Sequence, residues 1–357
     1  MRLEGTAGPK SETPEAPHML VFAFTGGATI SSRRFRVEQY IPKLHAIGID
    51  VHENIARFGS WPPKSRLRRP LWFLRTVLNR VGPIAESRRY DLTLLQRELV
   101  STKVTLEPWA GRPLVLDVDD AVWLTSARAR RSFEALVRMS DGVICGNDYI
   151  ASNVRQWNDN VLVLPTAVNT DRFRPNRKTS GRHLIIGWSG LHAGAKYLLS
   201  IESALYRVLR DYPDAILRVV SDAPPEFSLL STEMYEYIKW SPDNEVRTMQ
   251  EMDIGLMPVD DSPWSLGKCS YKMLLYMACG IPVVVSPIGM NAEVLARGEV
   301  GLGPRSESEW VDALSWLLRD GEARAAMGRV GRQVVERHYS LENLVPRLGA
   351  YLMTFKK

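Results

Sequence analysis

Short apolar runs alternate with helical patterns along most of the chain. The first run, Met19-Leu-Val-Phe-Ala-Phe24, ends at Gly26 and Gly27. Behind it Val37, Tyr40, Ile41 and Leu44 recur at i, i+3, i+4 and i+7, which predicts a helix. Further apolar runs predict strands at 49–51, 92–95, 114–116, 143–145 and 161–164. Phe133, Leu136 and Val137 form one face of a helix between them. The pattern then restarts, with predicted strands at 184–188, 216–220, 254–257 and 283–285. A helix carrying Tyr197, Ile201, Ala204, Leu205 and Val208 follows the first of these. Another places Trp310, Ala313, Leu314, Leu317 and Leu318 on one face. Buried strands alternating with helices predict an α/β fold of two doubly wound, parallel domains.

The expected division follows from this doubling. Residues 1–17 lack a sustained pattern and are expected to be a disordered tail. A first domain is expected over 18–165, a linker over 166–182 and a second domain over 183–338. The linker sequence LPTAVNTDRFRPNRKTSGR is rich in Pro, Asn, Thr and Arg. A last helix is expected within 339–357, with Ser340 as its N-cap.

Composition narrows the class. The 357 residues are 45% hydrophobic and 24% charged, values that belong to a globular chain. No apolar run approaches the ~20 residues that span a bilayer. The three cysteines, Cys145, Cys269 and Cys279, form no C-x-x-C pair or disulfide framework, so a reducing, cytoplasmic setting is expected. The formal charge is +6, and its position matters more than its size. Residues 1–165 hold 23 Lys and Arg against 17 acids, whereas the rest holds 23 of each. Residues 57–90 alone carry nine basic residues and one acid, interleaved with Trp61, Leu67, Leu71, Trp72, Phe73 and Leu74. A basic helix with aromatics has the composition of an interfacial membrane segment. The alternative is an amphipathic helix packed on its own domain. No nucleic-acid-binding motif is present, so a nucleic acid partner is not expected.

Ligands of open α/β sheets bind beyond the carboxyl ends of strands, so those turns carry the candidate chemistry. Gly26 and Gly27 allow close backbone approach of a phosphate or sugar. Arg33, Arg34 and Arg36 follow them and suit bidentate binding of a phosphate or carboxylate; a solvated helix face is the alternative. Asp117, Asp119 and Asp120 end a strand, with Asp117 and Asp119 expected on one face. They can bind hydroxyls or accept a proton. Their D-x-D spacing also matches a metal-binding motif, but its mid-chain place in a doubly wound domain argues against a metal. Gly187, Ser189 and Gly190 end the first strand of the second half, and Lys196 lies six residues on. Lys268 and Lys272 are four apart and share one face at a helix start, beside free N–H groups. Trp240 with Glu245 could hold a nucleobase, although core packing is the commoner fate of a lone Trp.

Together these segments resemble glycosyltransferase family 4, of the GT-B fold, from about residue 18 to the C-terminus. The linker LPTAVNTDRFRP, the loop GWSGLHAGAK and the stretch KMLLYMACGIPVVVSPIGMNAEVL carry the likeness. The stretch DIGLMPVDDSPWSLGKCSYK resembles members encoded with polysaccharide and lipopolysaccharide genes. The resemblance implies two Rossmann-like domains facing a central cleft, with the C-terminal helix crossing back to the first. It implies donor binding by the second domain, acceptor binding by the first, which would use Gly26, Gly27, Arg33, Arg34 and Arg36, and transfer with retention. The basic, aromatic stretch 57–90 separately gives the expectation of a peripheral place at the inner face of the cytoplasmic membrane. The resemblance also implies a donor loop including Gly289, Met290 and Asn291. No cofactor beyond the nucleotide-diphosphate sugar is implied, and a metal is not expected. Asp119, Asp120 and Lys268 are then the expected catalytic residues. Three departures stand out. The family's Glu-x7-Glu pair falls at Gly267 and Leu275, its loop Arg falls at Leu191, and its first-domain His is replaced by Asp119 and Asp120. A GT-B nucleotide-sugar epimerase and a non-catalytic glycan-assembly partner are the alternative readings.

Overall fold

The computed structural model describes residues 19–28, 30–59, 61–63, 65–176 and 183–356. The expected tail lies outside them. Two six-stranded sheets, each parallel throughout, organise the chain. The first contains β1 (Met19–Thr25), β2 (Ile49–Ile55), β3 (Leu92–Gln96), β4 (Leu114–Val118), β5 (Gly142–Cys145) and β6 (Val161–Val163), ordered β2-β1-β3-β4-β5-β6. The second contains β7 (Leu184–Ser189), β8 (Ala215–Ser221), β9 (Tyr235–Lys239), β10 (Ile254–Met257), β11 (Val283–Val285) and β12 (Gly301–Leu302), ordered β12-β11-β10-β7-β8-β9. Both orders reverse direction beside the first strand, which opens a crevice at the carboxyl ends.

Helices on both faces explain why central strands read as unbroken apolar runs. Every residue of β3, β4 and β5 is buried. The helix Glu307–Arg319 buries the expected face, from Trp310 to Leu318, and Ser306 Oγ caps it by accepting from Glu309 N–H. Two expected helices are divided instead. Pro42 lacks an N–H and starts a new helix, so Glu38–Tyr40 is a 3₁₀ turn followed by Ile41–His45. The helix expected around 197–208 breaks at Ser200-Ile201 into Ala195–Leu199 and Glu202–Asp211.

Residues 166–176 are anchored rather than loose. Val168 N–H donates to Tyr339 O, and Leu341 N–H donates to Val168 O. Phe173 is buried, and the Arg332 guanidinium holds the carbonyls of Thr170 and Phe173. Ser340 Oγ caps the helix Leu341–Met353 by accepting from Asn343 N–H. That helix buries Leu341, Leu344, Val345, Leu348 and Leu352 in one core with Met19, Val21, Ile49, Leu92 and Val115. Lys43 and Glu342 add an ion pair at 2.9 Å on its rim.

Candidate functional site

Because all twelve strands are parallel within their sheets, each sheet gathers its strand ends on one edge. The two edges face each other across a cavity of about 320 Å3. Ser189, Gly190, Asp222, Trp240, Lys268, Tyr271 and Lys272 line it from the second half, and Arg36, Asp119 and Asp120 from the first.

The loop carrying Lys268 is built against the first domain. Asn147 Nδ2 donates to the carbonyls of Leu266 and Lys268 at 3.1 and 3.0 Å. The Cys269 thiol donates to Asp119 O at 3.1 Å. At Gly267 an added Cβ would lie 2.4 Å from Ala121 Cβ. The first position of the family's acidic pair therefore has no room for a side chain here, and the second, Leu275, is a buried cavity wall. The helix Tyr271–Ala278 starts at the cavity with no side-chain cap. Its N-terminal N–H groups and dipole favour an anion.

Lys272 projects from this helix start, with Nζ 5.5 Å from the Trp188 ring centroid. Burial and the neighbouring Lys268 push its ammonium down to about 8, against a weak opposing pull from Asp222. Among the described residues no carboxylate lies within ion-pair distance of Lys268 or Lys272. Gly190 is required beside them, since a Cβ there would sit 2.4 Å from the Trp188 ring and 3.0 Å from Lys272 Nζ.

Asp119 and Asp120 face these lysines. Arg97, which the sequence reading did not single out, holds both. Its Nε donates to Asp119 Oδ1 at 2.8 Å and its Nη2 to Asp120 Oδ2 at 2.7 Å. The chain leaves extended geometry after Val118, so the expected pairing of Asp117 with Asp119 on one face is replaced by this one. Burial raises the Asp120 carboxyl, with Arg97 opposing, Asp119 adding and Lys268 opposing. Asp117 instead is buried against Arg36.

Several expected contacts are made with the chain itself. Arg33 is spent on Glu53 at 2.7 Å and Glu38 at 3.1 Å. Arg34 is buried against Glu245, with Nη2 donating at 2.7 Å. Arg36 holds Asp117 and the Leu164 carbonyl. Each guanidinium has a carboxylate of the chain, which replaces the expected acceptor anion. Glu245 also accepts from Arg172 and from Trp240 Nε1, so it is not an open base-pairing carboxylate. Trp240 lines the cavity, but Arg34 Cζ lies 5.4 Å from its ring centroid.

Gly187 lies inside β7, where a Cβ would strike Met252 Sδ at 2.0 Å; it serves packing, not a donor contact. Met290 is core. Gly289 takes φ +52° and passes close to Leu266. Asn291 is buried, and its amide N–H groups donate to the carbonyls of Met257 and Ser286. None of these three lines the cavity. Lys196 is exposed at the rim, in the field of Asp260. Gly26 and Gly27 border hollows next to the main cavity rather than the cavity itself.

Two facing parallel sheets with a cleft between their carboxyl edges, and a C-terminal helix returned to the first sheet, define the GT-B fold. Residues 183–320 match the family described as Glycosyl transferases group 1. This match covers most of the second half of the chain and agrees with the family 4 resemblance of the sequence. It is 26% identical over 247 residues to D-inositol 3-phosphate glycosyltransferase of Corynebacterium urealyticum, covering 60% of this chain and 57% of that protein. It is 28% identical over 214 residues to GDP-mannose-dependent monoacylated alpha-(1-6)-phosphatidylinositol monomannoside mannosyltransferase of Corynebacterium glutamicum, covering 54% and 55%. The chain thus spans about half the length of the curated relatives it matches. In structure it is similar to Anabaena HepE in complex with UDP and glucose, with a TM-score of 0.70 at 14% identity, covering 94% of this chain and all of that one.

Among the described residues no group of three or more His, Cys, Asp or Glu is placed to hold a metal ion. Among them, too, no helix is long and apolar enough to cross a membrane.

Proposed function

We propose that the chain is a glycosyltransferase that moves a sugar from a nucleotide-diphosphate donor to a glycan or lipid-linked acceptor. One observation carries this reading. Lys268 and Lys272, beside an uncapped helix start, face Asp119 and Asp120 across a cavity shared by both halves. As the glycosidic bond to the donor phosphate lengthens, charge grows on the leaving diphosphate and the sugar becomes an oxocarbenium-like cation. The two ammonium groups and the helix N–H groups stabilise the first. Asp119 and Asp120, fixed by Arg97, are placed to stabilise the second or to take the acceptor's hydroxyl proton. The lysines supply the charge that a bridging metal gives elsewhere, so no metal is required. Attack from the same face as departure gives retention, in line with the family resemblance.

The relatives' names support donors based on GDP or UDP. A thermal-shift series with UDP-, GDP-, dTDP- and CMP-sugars is expected to raise the melting midpoint for one base, since a ligand of the native state stabilises it. The same donor should be hydrolysed slowly, or transferred when acceptor is added. Binding without either turnover would favour the non-catalytic reading, which the missing acids at Gly267 and Leu275 support. Release of an altered nucleotide sugar without acceptor would favour the epimerase.

The helix Arg69–Ser87 and the turn before it supply the membrane face of this proposal. Leu67, Leu71, Leu74, Leu78 and Val81 follow each other at four- and three-residue steps and are 50–93% exposed. Arg66, Arg68, Arg69 and Arg75 are exposed around them. Apolar side chains at helical spacing among arginines suit the interface of an anionic bilayer. Each basic residue near such a surface adds about 1 kcal/mol. The protein is expected to float with phosphatidylserine-containing vesicles at low salt, at the inner face of the membrane in the cell. Replacing Leu71 and Leu78 by Ser should cut the bound fraction severalfold. Equal flotation of that variant would remove the helix from the membrane reading. A lipid acceptor, in cell-surface polysaccharide or lipopolysaccharide synthesis, fits this placement.

A further inference from the structure

Among the described residues five α-helices begin directly after a serine, and four of those serines behave alike. Ser126, Ser262, Ser306 and Ser340 lie in extended backbone, and the Oγ of each accepts from an N–H of the helix it precedes. This is the ordinary capping geometry of serine. Ser270, ahead of the helix Tyr271–Ala278, does neither. Its backbone is left-handed, with φ +49° and ψ +22°, and its side chain caps nothing. A residue with a Cβ is rarely held there, because the Cβ crowds the following carbonyl. Its surroundings hold it. Gly267 is pressed against Ala121, the Cys269 thiol donates to Asp119 O, and Leu274 N–H donates to Ser270 O at 3.2 Å.

The hydroxyl that does not cap is not used elsewhere. Ser270 is 3% exposed, and its Oγ makes no hydrogen bond among the described residues. Unlike Tyr271 Oη beside it, this oxygen is not one of the fully enclosed polar atoms without a partner, so part of it stays open. The space it opens on is the cleft cavity, whose wall Ser270 forms between Cys269 and Tyr271. Buried polar groups are nearly always paired, so one that faces a cavity calls for a ligand that pairs it. The same left-handed turn leaves the first-turn N–H groups of the helix uncovered, because the place of a capping oxygen is free for an incoming one.

Lys268 and Lys272 stand two residues to either side, so the group that meets this hydroxyl is the anion they attract. We propose that Ser270 Oγ donates a hydrogen bond to the leaving diphosphate, at the oxygen that takes the electron pair of the breaking glycosidic bond. This rests on the glycosyl-transfer reading and adds a catalytic residue to it. The bond from the sugar C1 to that phosphate oxygen breaks, and the bond from C1 to the acceptor oxygen forms. The acceptor's proton goes to Asp119 or Asp120, and the serine keeps its own throughout. A preorganised donor with no other partner stabilises the phosphate oxygen as its charge grows. The left-handed backbone turns the hydroxyl away from the helix end and toward the cavity. Strain of this kind persists where the surrounding packing over-determines it.

The test uses the full chain, donor hydrolysis without acceptor, and the four nucleotide sugars of the thermal-shift series. Ser270→Ala removes the hydroxyl and keeps the Cβ. Ser270→Gly removes both and suits the left-handed backbone. Each is expected to lower kcat for the donor that is turned over by about ten- to a hundredfold, with KM changed less than about threefold, because the hydroxyl acts where charge develops. Ser270→Gly should at the same time raise the melting midpoint, so the more stable protein is the slower enzyme. A merely structural serine would leave kcat in place. Unchanged kcat in both variants overturns the proposal. So does a kcat lost in Ser270→Gly but kept in Ser270→Ala, which would trace the loss to the backbone. Turnover of none of the four sugars by the parent chain would overturn the transferase reading and this proposal with it.

Discussion

Lys268→Ala is expected to lower turnover of the nucleotide-sugar donor by about 10²–10³-fold, the usual loss when one preorganised group facing a developing anion is removed. Lys272→Ala should cost a similar factor. The double variant should lose less than the product, because both ammonium groups address one leaving group and Lys268 already lowers the Lys272 ammonium. Nucleotide titration and initial rates check this, and wild-type donor affinity in Lys268→Ala would remove that residue from the site. Lys272 adds a pH signature. Its ammonium sits at about 8 in the free protein, below the ordinary 10.5. Binding a diphosphate favours the charged form, so donor affinity should fall as pH rises past about 8, by up to tenfold per unit. Lys272→Arg, charged throughout, should flatten that limb. The stability sign is opposite. A lysine whose folded value is lowered costs stability fully below about 8, and the cost fades as pH approaches the unfolded value. Lys272→Met should therefore raise the melting midpoint of the free protein while abolishing donor binding.

Glu245→Leu is expected to be the most destabilising single change, with loss of about 3–5 kcal/mol, as for removal of one partner from a buried pair. The Arg34 and Glu245 side chains are 9% and 4% exposed and join the two halves of the chain. Removing the carboxylate strands Arg34 between Phe35 and Trp240, 4.8 and 5.4 Å from their ring centroids. Arg34→Met should cost less, since Arg172 and Trp240 Nε1 still serve Glu245. The double variant Arg34→Met, Glu245→Leu should recover much of the loss, because apolar side chains of similar volume replace the pair. Thermal and denaturant unfolding of the four proteins measures the coupling. A double variant no more stable than Glu245→Leu would mean that the pair is not the source of the loss.

Most strands that could be read from the chain are buried apolar runs such as those in β1, β3, β4 and β5, while β2 and β6 were read from short Ile and Val runs although they are partly exposed. β9 escaped because Tyr-Glu-Tyr-Ile-Lys is a half-exposed edge strand with alternating polarity, and β12 because it has two residues. The helix Gly321–His338 escaped because Gly328 and Gly331 form part of its buried face, where larger apolar residues would have marked the period. The two lysines of the cleft were singled out as a four-residue step on one helix face, but Lys268 lies in the loop before the helix Tyr271–Ala278, with Ser270 at φ +49°, and reaches the cavity from that loop. The arginines were misread for another reason. Their partners Glu53, Asp117 and Glu245 lie 20, 81 and 211 residues away, and proximity in sequence to a glycine turn says nothing about them. Gly267 was legible as a loss, but its cause, Ala121, comes from the other half of the chain. Arg97 gave no pattern, since a single polar residue after a strand is common to most turns.

The return of Leu341–Met353 to the first sheet sets an order for synthesis. β1 to β6 leave the ribosome first, but the apolar face that this helix covers stays open while some 180 further residues are added. At 5–20 residues per second that is roughly ten to forty seconds. Through that interval the nascent first half offers Val21, Ile49 and Val115 to chaperones or to a neighbouring chain, so the protein's yield in a cell depends on how quickly its far end is translated.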